Sequence, residues 1–216
     1  MLVKEKMTPN PICITKETTL ASALQLMRDH KIRRLPVLEG EKLIGIVTDR
    51  DLREVSPSPA TSLSMHELNY LLAKTKIGSI LPKKSKVITI AADAYLEEAA
   101  LLMRDYKIGG IPVVEGDKLV GIITETNIFD AFIEIMGLRQ EGYRITLKLG
   151  EDRPGILAEI TRTIAACGGN ITHSNAFGAP DRATLVLRIN RGPVGEIVDA
   201  LTKLGYEVSA SNNRTD

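Results

Sequence analysis

Tryptophan is absent from this 216-residue chain, and aromatic residues make up only 4% of it. Its core must therefore be built from Ile, Leu, Val, Ala and Met. Cysteine is scarce too. Cys13 and Cys167 lie far apart and form no C-x-x-C pair, which excludes a disulfide framework and a cysteine-rich zinc site. No apolar run approaches the roughly 18 residues needed to cross a bilayer. Met1 to Lys6 carries no signal-peptide apolar region, so a reduced, cytoplasmic protein is expected. Charge of one sign is not in excess either. The formal net charge is +1, so no global field draws in nucleic acid or an anionic membrane, and neither is expected as a partner. Catalytic signatures are missing: there is no G-x-S-x-G, H-E-x-x-H, P-loop or G-x-G-x-x-G. His30, His66 and His173 are too scattered to suggest a metal cluster. No catalytic residue, metal or required cofactor is expected.

What the chain does contain is a repeat. Residues 27–52 read MRDHKIRRLPVLEGEKLIGIVTDRDL, and residues 103–128 read MRDYKIGGIPVVEGDKLVGIITETNI. They align without a gap, with fourteen of twenty-six positions identical. Each copy has one plan. A short apolar run, Ile12-Cys13-Ile14 or Val87-Ile88-Thr89-Ile90, reads as a strand. Apolar residues then recur at helical spacing: Leu20, Ala23, Leu24 and Met27 in one copy, Leu96, Ala99, Ala100 and Met103 in the other. A hairpin follows, Leu35 to Val47 in the first copy, turning at Glu39-Gly40-Glu41-Lys42 and, in the second, at Glu115-Gly116-Asp117-Lys118. A closing helix starts at Thr48 or Thr124, whose hydroxyl can cap free N–H groups. Between the copies, Ser56-Pro57-Ser58-Pro59 reads as a linker. Ser64 and Glu67 then form a capping box that opens a helix through Leu68, Leu71 and Leu72.

After Gly137 the pattern changes. Tyr143 to Leu149 alternates with period two, as a half-buried strand does. Asp152-Arg153-Pro154-Gly155-Ile156-Leu157 leads into a helix from about Ile156 to Ala166, with Pro154 placed in its first turn. Gly168-Gly169 ends it. Strands are expected at Asn170–Ser174, Ala183–Ile189 and Tyr206–Ser209, with a helix at Val194–Leu204. The order is βαββαβ, the ferredoxin-like arrangement.

Met7-Thr8-Pro9, the Leu-Pro-Val and Ile-Pro-Val strands, and the run from Gly45 to Asp51 resemble the CBS family, over about residues 1–136. The resemblance implies an intramolecular pair, with repeat one at 1–63 (the linker from about 56) and repeat two at 64–136. It implies two clefts that hold adenosine derivatives such as AMP, ATP or S-adenosylmethionine. Thr48 and Asp51 match the family's nucleotide-contacting Thr and Asp. A carboxylate can accept from both hydroxyls of a ribose diol, and such charge-assisted bonds contribute roughly 1.5–3 kcal/mol each. The competing reading is that Thr48 only caps a helix and Asp51 only complements its dipole. Repeat two has Thr124, but Asn127 where repeat one has Asp51. Asn offers one acceptor oxygen and an NH2 donor, which puts the second site in doubt. Ile12, Cys13, Val87 and Ile88 are further nucleotide contacts that the resemblance implies. Arg33-Arg34 stands where repeat two has Gly109-Gly110. The resemblance implies that this basic pair grips phosphate in the cleft whose ribose acceptor comes from the other repeat. A solvated basic patch is the bland alternative.

D-R-P-G-h-L followed by G-G-N-I resembles the ACT family, over about residues 143–213. This implies dimerisation and amino-acid binding by Asp152, Gly155, Ile156 and Asn170 near the first strand–helix turn. The bland alternative is that Gly155 and Asn170 only shape the turn. The combination resembles the AcuB-like acetoin-utilisation regulatory family. The expected fold is therefore α/β (α+β): a CBS pair, then a βαββαβ ACT domain. The expected function is a non-catalytic sensor of adenine nucleotides, with an amino acid or related small acid as a second ligand, acting as a homodimer on a protein target that the residues do not identify. The competing readings are a dimerisation module without a ligand, and an enzyme with an unrecognised site.

Overall fold

Four of the nine described helices, those that follow Thr19, Thr48, Ser64 and Thr124, begin where a side-chain oxygen accepts from a free first-turn N–H. The computed structural model describes residues 1–56, 64–82, 87–150, 153–179 and 183–213. Most of the proline linker (57–59) and Asp152 lie outside these. The chain divides into two compact units, Met1–Ile128 and Phe129–Asp216.

In the first unit, a short helix α1 (Val3–Lys6) leads to the two-residue strands β1 (Thr8–Pro9) and β2 (Ile14–Thr15). Helix α2 (Leu20–Asp29) starts where Thr19 Oγ1 accepts from the Ser22 N–H at 3.2 Å. The hairpin β3 (Arg34–Glu39) and β4 (Lys42–Thr48) feeds α3 (Asp49–Glu54). Its two-residue turn has Gly40 at a φ of +62°, the left-handed value that favours glycine at the first turn position. Helices α4 (Met65–Lys74) and α5 (Ile77–Ile80) precede the second copy: β5 (Ile90–Ala91), α6 (Leu96–Tyr106), β6 (Gly110–Glu115), β7 (Lys118–Thr124) and the start of α7 (Glu125–Ile135). The capping box predicted at Ser64 forms, the Glu67 carboxylate accepting from the Ser64 N–H at 2.8 Å.

One sheet joins both copies in the order β2-β3-β4-β7-β6-β5. Its centre is the pairing of Lys42 with Lys118, which are equivalent positions of the repeat. Leu20, Ala23, Met27, Leu35 and Val37 form the first copy's core, and Leu96, Ala99, Met103, Ile111 and Val113 are buried at the equivalent places in the second.

One expectation needs correction. The first strand of each copy is shorter than the apolar runs suggest. Only Ile14–Thr15 and Ile90–Ala91 pair, each in parallel with two residues of the following strand. Ile12 and Cys13 lie outside β2 because the chain is still turning there. Asn10 takes a φ of +47°, Pro11 has no N–H, and the Cys13 thiol donates to the Pro11 carbonyl at 3.2 Å. The copies also exchange their lead-in segments. The Val3 N–H donates to Ala94 O at 2.9 Å, and β1 pairs with β7, so residues 1–9 complete the second copy. Reciprocally, the Ile77 N–H donates to Thr18 O at 2.9 Å and the Gly78 N–H to Lys16 O at 2.8 Å.

The second unit holds the end of α7, then β8 (Gly142–Lys148), α8 (Ile156–Ala166), β9 (Asn170–Phe177), β10 (Thr184–Arg191), α9 (Val194–Lys203) and β11 (Glu207–Asn213). The antiparallel order β11-β8-β10-β9 is the ferredoxin-like arrangement. Ile145, Leu147, Leu185 and Leu187 project from one face onto Ile160, Ile164, Ile197 and Leu201 of the two helices. Pro154 is not in the first turn of α8. Gly155, at a φ of +88°, is the residue before that turn, so the proline stands one step further out. Helix α7 ends in a Schellman motif: the Leu138 N–H donates to Ile133 O at 3.0 Å and the Gly137 N–H to Glu134 O at 2.9 Å. The Met136 carbonyl then accepts from Arg188 Nε at 2.5 Å.

Ile77 is fully buried in the first copy although it comes from the segment before the second. Ile77→Ala should cost about 2–5 kcal/mol in urea unfolding. Leu101→Ala, at a side chain 56% exposed, should stay within about 0.5 kcal/mol of the parent. Equal effects would contradict the exchanged packing.

Candidate functional site

Helices α3 and α7 open at the ends of β4 and β7, and both openings are built alike. Thr48 Oγ1 accepts from the Asp51 N–H at 3.2 Å and donates to Asp51 Oδ2 at 2.7 Å, while the Thr48 N–H donates to the same oxygen at 2.8 Å. In the second copy, Asn127 Oδ1 takes both Thr124 donors, from the hydroxyl at 2.6 Å and from the backbone at 2.9 Å. The capping reading of Thr48 and Asp51 is thus realised. It does not exhaust the carboxylate, because both of these bonds go to Oδ2. Oδ1 of the exposed Asp51 remains as an acceptor. Asn127 differs. The backbone N–H of Thr124 can only donate, so the amide oxygen must face it, and the group left over is the Nδ2 donor.

Each opening faces a cleft. The larger, about 1020 Å³, is lined by Thr48 and Asp51 together with Val87, Ile88, Lys107, Gly109 and Gly110 from the second copy. The smaller, about 630 Å³, is lined by Thr124 and Asn127 with Ile12, His30, Lys31 and Ile32 from the first. Each cleft therefore combines a capped helix start from one copy with the residues before the hairpin of the other. Arg33 and Arg34 line both clefts, however, and are not confined to the Asn127 side. The glycine pair explains why. A Cβ on Gly109 would overlap the Arg34 guanidinium, and one on Gly110 would stand 2.9 Å from Arg34 Cδ. The glycines leave the space that Arg34 fills. Burial lowers the pKa of Arg34, the Glu125 carboxylate opposes that shift, and Arg33 adds to it.

Cys13 is not among the residues lining either cleft. Burial raises the pKa of its thiol, which leaves a weakly nucleophilic, packed side chain. Lys31 and Lys107 were missed from the sequence, although they are equivalent in the repeat and both take left-handed backbone, with φ of +53° and +54°.

In the second unit, Gly155 stands before α8, and a Cβ placed on it would meet no atom within 4 Å, so its surface is open. Ile156 is committed to the core at 8% exposure, which leaves only its backbone for a ligand. Asn170 is exposed and uses its Nδ2 to donate to Asn190 Oδ1 at 2.8 Å, across β9 and β10. Among the described residues, His173 Nδ1 and Arg188 Nη1 are buried without a hydrogen-bond partner.

The CBS domain family matches residues 3–58 and 77–134, and the ACT domain family matches 143–206. The chain belongs to the CBS-domain family, as an AcuB-like tandem pair with a C-terminal ACT domain. A CBS domain-containing protein of Dictyostelium discoideum is 35% identical over 138 residues, 63% of this chain and 94% of that one. The crystal structure of a protein assigned to acetoin utilization (AcuB) from Vibrio cholerae is 32% identical, with a TM-score of 0.52 over 64% of this chain and 95% of that one. CBSX2, solved in complex with AMP, is 29% identical with a TM-score of 0.51, covering 62% of this chain and 97% of that one.

Thr48→Ala should lower stability by about 1 kcal/mol, in line with other lost caps, and Thr124→Ala should do the same. Thermal unfolding checks this. No change in either variant would mean that the caps are dispensable.

Proposed function

We propose that this chain is a non-catalytic regulatory sensor that binds adenine nucleotides in the clefts of its CBS pair. The observation that carries the reading is the free Oδ1 of Asp51 at the mouth of the larger cleft. One carboxylate oxygen holds the helix cap and the other is left to accept from a ribose hydroxyl. Val87 and Ile88 supply an apolar wall for a base, and Arg34 supplies positive charge for phosphate. The AMP complex of the similar CBSX2 supports the ligand class, which here takes in AMP, ATP and S-adenosylmethionine. The ACT domain takes an amino acid or related small acid at the turn of Asp152, Gly155, Ile156 and Asn170. The likeness to AcuB supports a regulatory role in acetoin utilisation. We place the protein in the cytoplasm, reading Cys13 and Cys167 as reduced thiols. No described helix is long and apolar enough to cross a membrane.

Helix capping and ligand binding separate cleanly at Asp51. Asp51→Asn keeps the cap, as Asn127 does in the second copy, but turns the free acceptor into a donor. Nucleotide affinity of the larger cleft should fall about fivefold to tenfold, or ~1 kcal/mol, with the melting temperature unchanged. Titration calorimetry with AMP, paired with thermal unfolding, reads both. Unaltered affinity would leave Asp51 a cap and nothing more.

We also propose a homodimer. Phe129, Phe132 and Ile135 of α7 are exposed at 67%, 52% and 49%, an apolar row of a kind usually covered. The ACT sheet ends in β9 and β11, which leave unpaired ladder groups. Sedimentation at micromolar concentration should find two chains per particle, and a monomer would contradict this.

A further inference from the structure

Each cleft has its own lysine, Lys107 in the larger and Lys31 in the smaller, but the arginine pair is common to both. A guanidinium is a single planar fork, able to hold one phosphate in bidentate fashion at a time. Arg34 lies in space that a Cβ on Gly109 or Gly110 would take from it. Granting that adenine nucleotides occupy both clefts, we infer that Arg34 is a phosphate grip shared by the two clefts, so that phosphorylated ligands in them weaken each other while uncharged nucleosides do not. The chain thereby favours mixed occupancy: one phosphorylated nucleotide, and one adenine ligand that brings no phosphate. The repeat makes such sharing possible. A symmetric chain with an arginine pair in each copy would crowd four cations between the clefts. Replacing one pair by glycine removes that repulsion and opens the space through which the other pair serves both sides.

Unequal but independent clefts would also give two ATP affinities, so the test must detect coupling. The full chain is loaded with radiolabelled ATP at less than one per chain, and its release is followed by filter binding. Release is started either by simple dilution or by dilution into excess unlabelled ATP or excess adenosine. The ATP chase should accelerate release at least tenfold over dilution alone, and the adenosine chase should not. Gly109→Ala places a methyl group where the Arg34 guanidinium lies. The atoms it meets are the mobile ends of Arg34 and Glu125, and Gly109 does not need left-handed backbone, so the variant should fold. In that variant the ATP chase should lose its effect. Equal release under dilution and under excess ATP in the parent would overturn the shared grip and leave nucleotide sensing standing. If neither ATP nor adenosine binds at all, nucleotide sensing falls first and the shared grip with it.

Discussion

The first free N–H groups of α3 and α7 have to find acceptors, and the way they find them shapes both clefts. In each copy the threonine that ends a strand and the residue three positions later bond reciprocally, which fixes where the helix starts and which side-chain atoms are left over. Had the caps been water or backbone alone, the polar edge of each cleft would be free to move. With the box closed, one oxygen of Asp51 is immobilised and the other is held in place by the same rigid carboxylate. A polar group ordered before a ligand arrives costs less to use, because its rotamer entropy has already been lost.

The duplication then fails to be symmetric at two places that matter. Asn127 replaces Asp51, and Gly109-Gly110 replaces Arg33-Arg34. Both differences change chemistry and keep the fold, since Asn still accepts at the cap and glycine still enters the strand. The backbone of the two copies stays equivalent down to the paired lysines at the centre of the sheet. The clefts nevertheless differ in acceptor and in volume, and they share a cation.

Much of this was legible in the sequence because the signals are local. Thr48, Thr124 and Ser64 mark helix starts by capping, Glu-Gly marks the hairpins, and period-two alternation marks β8. The ACT order of elements can be read from Gly168, Gly205 and the apolar spacing between them. What was not legible depends on long-range pairing. Nothing in residues 1–9 says that they complete the second copy, since β1 finds its partner more than a hundred residues away. The apolar runs at Ile12 and Val87 look like full strands, but only Ile14–Thr15 and Ile90–Ala91 pair, and the chain before Ile14 is still turning. Ile156 sits on the same helical stripe as Ile160 and Ile164, so spacing alone marks it for the core. Gly109-Gly110 looks like the loss of a basic pair in one dimension, and only the fold reveals it as room for the arginine of the other copy.

The central claim is that the free oxygen of Asp51 waits for a ribose. A crystal structure of the full chain grown with AMP tests it most directly. The account predicts AMP in the larger cleft, with its ribose hydroxyls on Asp51 Oδ1, its base against Val87 and Ile88, and the Thr48–Asp51 cap unbroken. Empty clefts at saturating AMP, or AMP bound with Asp51 turned away from it, would contradict the account.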